Sequence, residues 1–218
     1  VTTQRATREA IVAAARALRS EGLLPGSSGN ISVRLVDGRV AITPAAIPYE
    51  ELDGDDIVVI GGAKTAAVGD RRPSSEHRLH LAVYAARTDV GAIVHTHAPF
   101  ATAFATAHEP IPAVHYVIAP LLAASGDRIR VAPYATFGTA ELAEACVETL
   151  AADNAVLLAS HGAVAVAPDL ATAVDRARTI EELAALAWRA RAIGGARVID
   201  RAELERVRAQ LRVRAGDE

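Results

Sequence analysis

Short apolar strands mixed with amphipathic helices predict an α/β protein, with a mixed or antiparallel sheet covered by helices on both faces. Strand-length apolar runs and helical periodicity trade places along the chain. Several of the runs are joined by tight-turn signals rather than by helical crossovers. No fixed-period repeat and no low-complexity linker interrupts the 218 residues, so 1–218 reads as a single domain. With 51% hydrophobic residues the chain can fill a sizeable core.

The elements follow in order. Residues 7–20 place Ile11, Ala14, Ala15 and Leu18 at helical spacing, and Gly22 is a natural stop. A turn over 25–30 leads into 31–35, which alternates like a half-buried strand. Asp37-Gly38 is a hairpin signal, with 39–43 as the partner strand. Residues 57–60 form a further strand, turned by Gly61-Gly62. Ser74 or Ser75 can cap a helix whose apolar face holds Leu79, Val83 and Tyr84. Residues 91–95 read as a strand and 99–106 as a helix. Strands are expected at 116–118 and 129–131, and a helix at 139–150 with Glu141 and Glu144 near its start. Two buried strands, 155–159 and 163–166, precede a long amphipathic helix over 170–192 and a final helix over 202–211.

Composition narrows the function. A net charge of −3, with no basic patch interleaved with aromatics, argues against nucleic acid as the partner. Arginines within the N-terminal apolar periodicity mark an amphipathic helix rather than a signal peptide. No clean apolar stretch reaches the ~20 residues of a membrane span. The single cysteine, Cys146, cannot staple the fold and reads as a packed core residue. Disulfides suit oxidising compartments, so a cytoplasmic location is expected.

The chemistry-bearing signal begins with His95-Thr96-His97 at the end of an apolar strand. Strand alternation puts residues i and i+2 on one face, about 6.5–7 Å apart. Two imidazoles so placed can converge on one metal ion, although the pair alone fits two ordinary histidines equally well. His161 ends another apolar strand, and Gly162 would let the backbone turn tightly there. Three neutral imidazoles with an open position form the pattern of a catalytic zinc site. Glu76 is the natural acid/base; the alternative is an exposed glutamate that complements a helix dipole. His77, His80, His108 and His115 read as surface, packing or structural residues. The Gly26–Asn30 turn and Ser74-Ser75 offer N–H groups and hydroxyls to an anion.

Seven ordered stretches carry a family resemblance: GLLPGSSGNISVR (22–34), ITPAAIPYEEL (42–52), PSSEHRLH (73–80), AIVHTH (92–97), IPAVHYVIA (111–119), APYATFGT (132–139) and LLASHG (157–162). In these the chain resembles the class II aldolase/adducin family, and within it the L-fuculose-1-phosphate aldolases. The resemblance implies a three-layer α/β/α sandwich on a mainly antiparallel sheet. It implies a fourfold-symmetric homotetramer with active sites between subunits. It implies zinc held by His95, His97 and His161, with Glu76 as a fourth ligand that moves off to act as base. A ketose 1-phosphate would be cleaved to dihydroxyacetone phosphate and an aldehyde. Tyr116 would donate a proton to the aldehyde oxygen across an interface, beside Phe137. The phosphate would rest among Ser27, Asn30, Ser74 and Ser75.

The sequence also departs from that pattern. The family's phosphate turn carries a hydroxyl and a glycine where Ala45 and Ala46 stand, and the tail from about 192 lacks a tyrosine. A non-phosphorylated hydroxycarbonyl substrate is therefore open, as are the superfamily's epimerase, dehydratase and decarboxylase reactions. A non-catalytic, adducin-like binding domain is the remote alternative, because such domains lose the metal histidines that are present here.

Overall fold

The computed structural model describes residues 4–61, 71–123 and 126–216; Gly62 of the expected Gly61-Gly62 turn lies outside them. Its centre is a seven-stranded sheet. The strands are β1 (Asn30–Arg34), β2 (Val40–Ile42), β3 (Val58–Ile60), β4 (Ala92–Thr96), β7 (Val131–Ala132), β8 (Ala155–Leu158) and β9 (Gly162–Ala167). They lie in the order β3-β2-β1-β4-β9-β8-β7, antiparallel throughout except for the β7–β8 pair. A two-stranded ribbon joins β5 (Ile111–Pro112) to β6 (Arg128–Ile129). The mixed, mainly antiparallel sheet with helices on both faces is the architecture expected from the sequence.

Strand alternation sorts the core into two layers. One face buries Ile31, Ala41, Val59, Val94, Leu157 and Ala165 under α1 (Gln4–Ser20), α3 (Pro99–Thr106) and α5 (Leu170–Ala192). The other buries Val40, Ile42, Val58, Ile93, Val156 and Val164 under α2 (His77–Ala86) and α4 (Ala140–Leu150). Cys146 is fully buried in this second layer, where burial pushes its thiol up to about 12. The C-terminal α6 (Arg201–Ala215) packs on a 3-10 helix over Tyr116–Leu121, and the Arg208 guanidinium donates to the carbonyls of Ala119 and Leu122. Among the described residues, no helix is long and apolar enough to cross a membrane.

The local signals act as their chemistry requires. Gly22, at φ 80°, closes α1, and the Leu23 N–H reaches back to the Leu18 carbonyl. Gly38, at φ 82°, makes the β1–β2 hairpin turn. Asp169 caps α5, accepting from the Thr172 N–H.

Three expectations are corrected. Residues 116–118 form the start of the 3-10 helix, not a strand: the His115 ring nitrogen accepts from the Val117 N–H at its head, and Pro120 has no N–H to give a ladder. The strand expected at 129–131 is divided at Arg130, with Ile129 pairing in the ribbon and Val131 in the main sheet. Arg130 itself turns aside to Asp153. Neither Ser74 nor Ser75 caps α2. The helix begins at His77, after Glu76, and the Ser74 hydroxyl accepts from the Glu76 N–H in the turn before it.

Candidate metal centre

Four side chains meet at one end of the central strands. β4 delivers His95 and, just beyond its last residue, His97; the β8–β9 turn delivers His161; the residue before α2 delivers Glu76. One ligand atom from each lies within 4.8 Å of all the others. The three imidazoles stand edge to face, with centroids 4.8–4.9 Å apart and interplanar angles of 73–79°. His95 Nε2 is 3.0 Å from His97 Nε2 and 3.1 Å from Glu76 Oε2, while His161 Nε2 is 3.3 Å from Glu76 Oε1.

Backbone geometry makes this approach possible. Gly162 is required for close packing rather than for the turn expected there. A Cβ on it would lie 2.3 Å from the Thr96 carbonyl oxygen and 3.0 Å from the His97 ring. The left-handed residue of the turn is instead Ser160, at φ 53°. Gly29 is left-handed at φ 76°, and a Cβ there would come within 2.6 Å of the His95 carbonyl oxygen.

The electrostatics fit a cation. His95 is fully buried and its Nδ1 lies 2.9 Å from the Ala163 carbonyl, an acceptor that fixes the proton on Nδ1 and turns the Nε2 lone pair inward. Glu76 Oε1 is buried and makes no hydrogen bond. Lone pairs aimed at one point repel unless a proton or a metal ion sits among them. Burial alone would raise the Glu76 carboxyl, but His95, His161 and the Asn30 amide overcome it and hold the group well below the usual range. Burial likewise works against a charged His95, yet the Glu76 carboxylate outweighs it and raises that pKa. Burial and the neighbouring imidazoles push His97 down to about 3 and His161 to about 4. Three imidazoles and one carboxylate are a donor set suited to a divalent transition ion.

The four-residue cluster borders a cavity of about 460 Å³. Ser27, Asn30, Ser74, Ser75 and Phe137 line it beside Glu76, His97 and His161, so the structure brings these expected residues together. Ala45 and Ala46 form part of the same wall, and Ala46 sits at φ 60°, a left-handed conformation natural to glycine. Tyr116 is not among the lining residues; it is half-exposed on its 3-10 helix and stacks on His115 at 4.7 Å.

The structure adds several groups to the site. Tyr134 and Ser160 also line the cavity. His108, left-handed at φ 55°, hydrogen-bonds the Ser160 hydroxyl. His80 is neither a surface residue nor plain packing: it is fully buried between the Asn30 amide and the Ser32 hydroxyl, which in turn meets the Tyr84 hydroxyl. The signal was present in the spacing. Glu76, His80 and Tyr84 recur every four residues along α2 and its lead-in, and Asn30 and Ser32 are two apart on the strand beneath.

Fold and site together define a metal-dependent lyase of the class II aldolase type. The chain belongs to the class II aldolase/adducin family: the model of the class II aldolase and adducin N-terminal domain matches residues 9–188. It is 43% identical over 202 residues to a 5-methylthioribulose-1-phosphate/5-deoxyribulose-1-phosphate aldolase of Rhodospirillum rubrum, covering 93% of this chain and 89% of the relative. It is 47% identical over 165 residues to an L-fuculose phosphate aldolase of Escherichia coli O6:H1, covering 76% and 74%. A solved L-fuculose 1-phosphate aldolase structure superposes with a TM-score of 0.88 at 36% identity, covering 94% of this chain and 96% of the other.

Proposed function

We propose that this class II aldolase cleaves a ketose 1-phosphate to dihydroxyacetone phosphate and an aldehyde, using zinc held by His95, His97 and His161. The convergence of those imidazoles with Glu76 at the wall of a Ser- and Gly-lined cavity carries the reading. Zinc follows from the donor set, since three imidazoles and a carboxylate suit it well. When bound, the ion supplies Lewis-acid polarisation of the substrate's carbonyl and hydroxyl oxygens. Glu76 would be a fourth ligand at rest and would serve as the base in turnover. In synthesis it takes the proton from the carbon beside the carbonyl, and in cleavage it returns it. In synthesis Tyr116 donates a proton to the aldehyde oxygen as the new C–C bond forms, and in cleavage it takes that proton back from the same oxygen, then a hydroxyl, as the bond breaks. Its place outside its own subunit's cavity fits delivery to a neighbouring site in a homotetramer. The phosphate rests among Ser27, Asn30, Ser74 and Ser75, with Phe137 near the aldehyde end. The enzyme works in the cytoplasm.

The two curated relatives have names that share a ketose phosphate and differ in the tail. Sequence similarity takes in 93% of this chain for the Rhodospirillum rubrum relative, against 76% for the Escherichia coli O6:H1 relative. The expected order of kcat/KM therefore places 5-deoxyribulose 1-phosphate above L-fuculose 1-phosphate, and both above their unphosphorylated forms. Cleavage by zinc-loaded enzyme, followed as aldehyde release, tests this. Adding Ala45→Thr with Ala46→Gly restores a hydroxyl donor and should lower KM for phosphorylated ketoses about 10–100-fold, since a hydrogen bond to a charged group is worth about 1.5–3 kcal/mol. Equal cleavage of the unphosphorylated sugars would reject the phosphate site and favour a non-phosphorylated substrate.

A further inference from the structure

A buried polar ladder runs from the metal centre into the second core layer. Glu76, His80 and Tyr84 lie four residues apart, and one helical repeat of four rises about 6 Å. Asn30 and Ser32 lie two apart on β1, spaced about 6.5–7 Å. The two periods match, so helix and strand side chains interleave. Asn30 Nδ2 donates to Glu76 Oε2 at 2.9 Å, and Asn30 Oδ1 meets His80 Nε2 at 2.5 Å. His80 Nδ1 lies 2.6 Å from the Ser32 hydroxyl, which is 2.9 Å from the Tyr84 hydroxyl. Each of the five residues is at least 95% buried.

The direction of every proton follows from one end. An ionised carboxylate only accepts, so Asn30 must turn its N–H side to Glu76 and its carbonyl to His80. His80 must then donate from Nε2, leaving Nδ1 to accept from Ser32, whose oxygen accepts from Tyr84. An asparagine amide has nearly the same shape either way round. Flipped, Asn30 would set an oxygen against the carboxylate and an N–H against the His80 N–H. The His80 donor is what rejects the flip. Burial keeps the ring neutral, with its pKa pushed down to about 3, so one nitrogen stays free to accept.

We propose that His80, backed by Ser32 and Tyr84, is a positioning residue that fixes the orientation of the Asn30 amide and thereby aims the Glu76 carboxylate at the metal centre. This inference rests on the metal-binding reading of the site.

The test uses His80→Leu, which keeps volume but removes both nitrogens, and His80→Gln, whose amide can donate to Asn30 and accept from Ser32. Zinc affinity is read by competition with a chromophoric chelator, alongside kcat, KM and the melting of the metal-free chain. The expected result is that Leu weakens zinc binding about 10–100-fold, the usual range for a lost outer-shell partner, and lowers kcat by a larger factor than it raises KM. Gln stays near wild type. Wild-type zinc affinity in the Leu variant, or equal losses in Leu and Gln, overturns the positioning role. If the Leu variant does not fold, Ser32→Ala decides: weakened zinc binding supports the ladder, and unchanged binding overturns it. A wild-type chain that binds no zinc brings down the metal reading as well, which separates the two failures.

Discussion

The two faces of the sheet are built from the same strands but to different ends. The α1, α3 and α5 face is closed by apolar side chains such as Ile11, Leu18, Ile180 and Leu183, each almost wholly buried. The α2 face carries an apolar layer too, yet its stripe nearest the cavity is Asn30, Ser32, Glu76, His80 and His95, all buried and polar. Apolar burial is forgiving and adds up by area. A buried polar stripe is worth having only if every partner is present, because an orphaned group costs its full desolvation. Stability and reactivity are therefore separated by strand parity: on β4, Ala92 and Val94 point one way, Ile93 and His95 the other.

Three experiments sharpen that division. The largest effect is expected from Glu76→Gln, which should cut turnover about 10²–10⁴-fold, the range for losing a general base, while the three imidazoles still hold zinc, at reduced affinity, and melting is unchanged. Unchanged turnover would remove Glu76 from the chemistry. Leu183→Ala on the opposite face should do the reverse, costing about 2–5 kcal/mol in urea unfolding with KM unaltered. A raised KM from that change would show that the faces are not independent. The mildest effect concerns pH. Burial holds His80 and His97 at about 3 and His161 at about 4, below their unfolded values, so the unfolded chain binds more protons as acid is added. Stability of the metal-free chain is then full above about pH 6.5 and falls toward pH 4. The raised pKa of His95 works in the opposite sense, adding stability below about 6.5, as one group against three. Calorimetry that finds a flat or rising melting temperature from pH 6.5 down to 4 would contradict this balance.

Much of the molecule was legible in the sequence where a signal is local. The long helix over 170–192 has the limits its periodicity indicates. The Asp37-Gly38 hairpin holds, and the three strand-end histidines converge with Glu76. What was not legible depends on a capping ring and a proline beside the run, or on partners far along the chain. The 116–118 run has strand-like residues, but His115 and Pro120 convert it to a 3-10 helix. Arg130 divides a strand because Asp153, 23 residues on, holds its guanidinium. His80 reads as packing until the strand 50 residues earlier is laid against it. In the last two cases tertiary contact overrides local pattern.

The loop after β7 supplies Tyr134 and Phe137 to the cavity rim, both largely exposed, whereas the imidazoles spring from strand ends locked by sheet pairing. Segments of that kind drift freely in length and composition. Such a division lets one scaffold be retailored for new substrates by exchanging a few rim residues, while the cluster of imidazoles is inherited intact.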